Sequence, residues 1–97
     1  MIDKVQILVY SQLDGYTFSL LPSTRKQIKK EFPNAFPASN LNISFDDYND
    51  FRVNKGNLED HIYPIILGVS EQDLKTKFKE IIFIDPRTNK TLHKVKN

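Results

Sequence analysis

The feature that most constrains this chain is the stretch His61 to Asp85, HIYPIILGVSEQDLKTKFKEIIFID. Two apolar runs flank a segment with helical spacing, and Ser70 with Asp73 supplies a helix start between them. The pattern predicts strand, helix, strand. Pro64 lacks the donor that a central strand needs, so the first strand belongs at an edge or begins after the proline. Leu74, Phe78 and one of Ile81 or Ile82 keep helical spacing, and Phe78 and Ile82 are expected in the core.

The remaining elements follow from shorter signals. Val5, Ile7 and Val9 alternate in KVQILVY, and Tyr16, Phe18 and Leu20 alternate after Asp14-Gly15. This predicts a β-hairpin over residues 4–21, with positive φ at Gly15. Pro22 closes that strand. Thr24 with Gln27 resembles a capping box, and Leu21, Ile28 and Phe32 share a helical face until Pro33 stops the helix. Phe36 is expected to plug a core edge. Leu41, Ile43 and Phe45 alternate as a third strand. Residues 46–60 read as an acidic surface loop, with a short strand around Phe51 and Val53 as the alternative. PRTNK turns into a last strand, TLHKVK. The expected fold is a single α+β domain over residues 1–97. It has a mostly antiparallel sheet of about five strands, with two short helices on one face and strand edges open to partners.

Composition narrows the function classes. The 97 residues suit one modest core, with 39% apolar and 27% charged side chains. No apolar run reaches the ~20 residues that span a bilayer. The N-terminus lacks the features of a signal peptide. There is no cysteine, which rules out disulfides and Cys-ligated zinc. These features lead to an expected cytoplasmic location. Abundant Asn, Lys, Ile, Asp and Phe with few Ala and Gly is what an AT-rich gene encodes, as is common in low-GC bacteria and phages.

Three groups of residues are candidates for chemistry. Asp46, Asp47, Asp50, Glu59 and Asp60 outnumber Arg52 and Lys55 in the acidic stretch. The calcium-loop spacing is not met, because no glycine stands sixth and no glutamate twelfth from Asp46 or Asp47. Tyr48 and Phe51 lie within this stretch, and aromatics among carboxylates suit the docking of a basic protein. Asp46, Asp47, Tyr48, Asp50 and Phe51 are therefore the expected partner-binding residues, set against the plainer reading of a solvated loop. Arg25, Lys29, Lys75 and Lys79 are the candidates for nucleic-acid contact, should the two basic groups share a face. No RNP-type aromatic pattern, Gly-X-X-Gly loop or helix-turn-helix pattern accompanies them. His61 beside Glu59 and Asp60 has the makings of a tuned base, and with Asp46, Asp47 and Asp50 of a metal-dependent nuclease. Yet no nucleophile elbow and no Gly-rich phosphate loop is present.

The sequence therefore leads to an expected non-catalytic interaction protein, without cofactor or metal, that binds and neutralises another protein. An immunity protein or antitoxin facing a bacterial toxin, and a phage inhibitor of host defence, are the types in view. A nucleic-acid-binding accessory protein is the alternative.

Overall fold

The computed structural model describes residues 2–53 and 65–96. It is an α+β protein with one five-stranded sheet, whose strands lie side by side as residues 40–44, 15–19, 5–11, 80–85 and 90–96. Strands β1 (Val5–Ser11) and β2 (Gly15–Ser19) form the expected hairpin, with Val9 opposite Phe18 and Ser11 opposite Tyr16. Strand β3 (Asn40–Ser44) pairs antiparallel with β2, and β4 (Glu80–Asp85) pairs antiparallel with β5 (Lys90–Lys96). Only β1 and β4 run parallel, with Val5 opposite Ile81 and Ile7 opposite Phe83. That pairing needs a crossover, which the intervening helical elements supply.

Alternation along the strands sets the core. Val5, Ile7 and Val9 share a face with Phe18, Ile43, Ile81 and Phe83, all buried. The helical elements add Ile28, Tyr48, Ile66, Leu67 and Leu74 to that same cluster, so they cover one face of the sheet. Phe78 is buried beneath them, as its spacing predicts. Ile82 is buried too, but on the other face of β4 with Ile84, between Gln6 and Leu8 on one side and Lys94 and Thr91 on the other.

Helix α1 (Pro22–Glu31) starts two residues before the expected Thr24 cap. Pro22 occupies its first turn, where a missing N–H costs nothing, and Leu21 is the extended N-cap residue. The chain after it is fastened backbone to backbone, with Phe36 N–H donating to Gly68 O and Ala38 N–H to Ile66 O, both at 3.0 Å. Phe36 does not plug the core: its side chain is 80% exposed, and Ala35 is buried in its place. Gly68 has φ +67, and a Cβ there would strike the Phe36 carbonyl group.

Three further expectations are corrected. The run before Gly68 is not a strand where it is described: residues 65–67 are helical, with Ile66 and Leu67 both buried. A short apolar run has no periodicity that separates a buried strand from a buried helix. Residues 61–64 of that expected strand lie outside the described residues. The second correction concerns Phe45, which does not continue β3 but opens helix α2 (Phe45–Val53). Asp46, Asp47, Tyr48, Asp50 and Phe51 therefore lie on a helix rather than on a loop or strand. The third is Gly15, which is not at positive φ. Its missing side chain serves a different need, because a Cβ would collide with the Ile43 carbonyl oxygen of the neighbouring strand.

Helix α3 (Glu71–Lys77) follows as expected, with Ser70 Oγ accepting the Asp73 N–H at 3.1 Å. Its end is tied to the N-terminus: Ile2 N–H donates to Lys77 O at 2.8 Å and Lys79 N–H to Ile2 O at 2.9 Å. No helix of the described residues is long and apolar enough to cross a membrane.

Candidate partner-binding end

Strand directions decide which side chains meet. Because β1 and β4 are parallel, the turns that follow them, residues 12–14 and 86–89, lie at the same end of the sheet. Strand β3 runs opposite to β2 and delivers Ser44 beside Gly15. Helix α2 therefore starts next to the β1–β2 turn. Ser44 Oγ accepts the Asp47 N–H at 3.1 Å, which caps the helix, and Asp46 and Asp47 sit in its first turn, where the helix dipole favours carboxylates.

The result, on the β2–β3 side, is an acidic end with apolar side chains standing among the charges, while Arg87 and Lys90 lie on the β4–β5 side. Leu13 is 99% exposed and Phe45 47% exposed. Asp14, Asp46 and Asp47 around them are exposed, and none makes an ion pair among the described residues. The Phe45 ring stands edge-on to Tyr16, with centroids 5.4 Å apart at 85°. Tyr16 contacts Tyr48 at 4.3 Å, Tyr48 contacts Phe18 at 5.9 Å, and Phe18 contacts Phe83 at 5.3 Å. This line of rings runs from the surface into the core, so the exposed Phe45 rests on a packed base. An open groove of about 730 Å³ adjoins the same end, lined by Tyr10, Gln12, Leu13, Asp14, Asn42 and Ser44 among others. In its lining Thr17 Oγ1 donates to Asn42 Oδ1 at 2.8 Å, which fixes the amide's orientation.

The expected partner-binding residues separate in this structure. Asp46 and Asp47 are exposed at the acidic end. Tyr48 is not an interface anchor, since at 7% exposure it belongs to the core. The reason is helical geometry: Tyr48 shares a face of α2 with Phe45, so both rings lean on Tyr16, and Tyr48, one turn further on, also reaches Phe18. Asp50 is half-buried, and Phe51 lies on α2 with its side chain outside the described residues. Leu13, Asp14 and Phe45 join the candidate site beyond the residues expected from the sequence. One signal pointed to Phe45: Ser44-Phe45-Asp46-Asp47 has the form of a capping box, which places a helix start at Phe45.

The expected basic residues have separate local ties. Arg25 Nη1 donates to Leu20 O at 2.9 Å, Lys29 Nζ lies 5.5 Å from the centroid of the Phe36 ring, and Lys79 Nζ is 3.8 Å from Asp3. Lys75 is exposed on α3. Arg25 and Lys29 are one helical turn apart, whereas Lys79 lies beyond α3, beside Ile2. His61, Glu59 and Asp60 lie outside the described residues. Among those described, no three His, Asp or Glu side chains gather as a metal site.

The second turn at this end is closed on itself. Asp85 Oδ1 accepts the Arg87 N–H at 2.9 Å and lies 3.6 Å from Arg87 Nε. The backbone hydrogen bond, helped by the guanidinium, holds the Asp85 carboxyl below the ordinary aspartate range.

Comparison with protein-family models, with curated proteins and with solved structures finds no significant match to this chain.

Proposed function

We propose that this protein is a non-catalytic binding module that neutralises a basic protein through its acidic end. The class in view is an immunity protein or antitoxin, or an inhibitor of a defence protein. The observation that carries this reading is the grouping of Leu13 and Phe45, both exposed, with three carboxylates that make no ion pair among the described residues. An exposed apolar side chain slows dissociation once water is excluded from around it. Carboxylates beside it speed encounter with a positively charged partner. A toxin or nuclease that must attract phosphates presents such a surface. The nucleic-acid reading has less support, because Arg25, Lys29 and Lys79 are engaged with a carbonyl, a ring and a carboxylate in different places.

The test is capture from nuclease-treated native lysate with the wild type and with the triple variant Asp14→Lys, Asp46→Lys, Asp47→Lys. Circular dichroism would establish that the variant is folded. The expected result is a basic protein that the wild type retains, whose activity falls on binding, and whose on-rate drops about tenfold or more in the variant. Equal retention and equal rates for both proteins would overturn the reading, as would a wild type that retains nucleic acid alone when the nuclease is omitted.

A further inference from the structure

The two outer strands of the sheet are built differently. Strand β5 carries Lys90, Lys94 and Lys96, and its register with β4 is broken by a bulge between Phe83 and Ile84. Lysines and bulges are the devices by which edge strands resist pairing with other chains. Strand β3 has none of them. Its sequence is Asn-Leu-Asn-Ile-Ser, and all five residues keep a regular register with β2. Among the described residues no strand pairs with its outer side.

Charge separates the two sides as well. No Lys or Arg occurs from Val5 to Thr24 or from Asn34 to Asp50, so β1, β2 and β3 contain no cation. Ser44, the last residue of β3, leads directly into Phe45, Asp46 and Asp47 and stands beside Gly15, next to Asp14. An extended segment laid along β3 thus meets backbone groups that no strand of the described residues pairs, and carboxylates at one end. The 730 Å³ groove reaches the strand at Asn40, Asn42 and Ser44 from the side of β1 and β2, where Tyr10 and Thr17 line it.

We propose that the outer edge of β3 takes an extended segment of the partner as a sixth strand, and that this segment carries Lys or Arg where it meets Asp14, Asp46 and Asp47. Backbone hydrogen bonds supply affinity in this mode, and the charge at one end fixes register and direction. The inference rests on the proposed function and names the partner's contact element.

The experiment is backbone amide NMR on the full chain, titrated with synthetic peptides of about eight residues that alternate Thr and Val. One peptide ends in two lysines at its N-terminus, one has them at its C-terminus, and a third has two glutamates in their place. In the free protein, the alternate β3 amides that do not bond to β2 should exchange rapidly with solvent. One lysine peptide should slow them, and the glutamate peptide should bind about tenfold more weakly or worse at low salt. Protection of every β3 amide in the free protein would overturn the proposal, since the edge would already be covered. Protection that rises with protein concentration would overturn it in favour of a second copy. Equal binding of the glutamate peptide would overturn the charge rule. A lysine peptide that shifts Leu13, Phe45 and Asp46 but leaves the β3 amides exchanging would overturn the added strand while leaving the acidic end as the contact. No shift at either place with any peptide would count against both readings.

Discussion

Two turns lie side by side at one end of this sheet, and they treat their polar and apolar groups in opposite ways. In residues 86–89 the chain satisfies itself. Asp85 takes the Arg87 N–H and faces its guanidinium, Asn89 N–H donates to Asp85 O at 2.8 Å, and Asn89 holds φ 59 to close the loop. In residues 12–14 the one backbone tie outside the strand ladder among the described residues runs from Gln12 N–H to Gly15 O at 2.8 Å, while Leu13 and Asp14 project into water. One turn is finished within the fold, and the other leaves an apolar group and a charge for something else to meet. A turn of the second kind contributes little to stability through its side chains, so it is free to serve recognition.

The largest effects should come from the supports of the open turn rather than from its tip. Tyr48 is buried beneath Tyr16 and Phe18, and Tyr48→Ala should cost about 3–5 kcal/mol in denaturant unfolding. A folded variant losing under about 1 kcal/mol would mean that the rings do not carry the acidic end. Gly15→Val should come next, at about 2–3 kcal/mol, because its Cβ would meet the Ile43 carbonyl oxygen, which is backbone and has little room to move. A denaturant midpoint unchanged by this substitution would break the close approach of β2 and β3 that brings Asp14 to α2.

Smaller effects sharpen the contrast between the turns themselves. Asn89→Val should cost about 1–2 kcal/mol, since a β-branched residue adopts positive φ only with strain. Asp85 gives the closed turn a pH signature. Its carboxyl is held below its ordinary value of 3.8, so its contribution is complete above that value and is lost as pH falls through the depressed one. Asp85→Asn should therefore flatten the acid limb of the stability–pH curve, and an unchanged limb would show the Arg87 clasp to be inert. The smallest change is expected at the open tip: Leu13→Ser should leave stability within about 0.5 kcal/mol, and a larger loss would mean that Leu13 packs against the fold.

Much of the framework was legible in the sequence because it rests on local rules. Alternation in KVQILVY and the short apolar run EIIFID mark strands, the Ser70–Asp73 cap marks α3, and Pro33 marks the end of α1. Errors arose where local signals were ambiguous. IILGV fits a buried strand or a buried helix equally well. Phe45 fitted the period of β3 as well as the second position of a capping box, and reading it as strand turned α2 into a loop. Of the candidate site, the charge of Asp46 and Asp47 is visible in the sequence, whereas the burial of Tyr48 is not, because it depends on the inward face of a helix that the sequence reads as a loop.

The sequence by itself determined the α+β class, the hairpin, the apolar face of β1, and the separation of cations from the first three strands. These depend on side-chain period, turn chemistry and composition, all properties of neighbouring residues. Only the tertiary structure decided that β1 and β4 run parallel, that Gly15 is needed for the approach of Ile43 rather than for a positive φ, and that Leu13 and Asp14 stand beside Phe45, Asp46 and Asp47. Those facts depend on which strand pairs with which and in what direction. That choice is made by burying Phe18, Ile28, Phe78 and Phe83 together, residues far apart in the chain that no local period can bring into register.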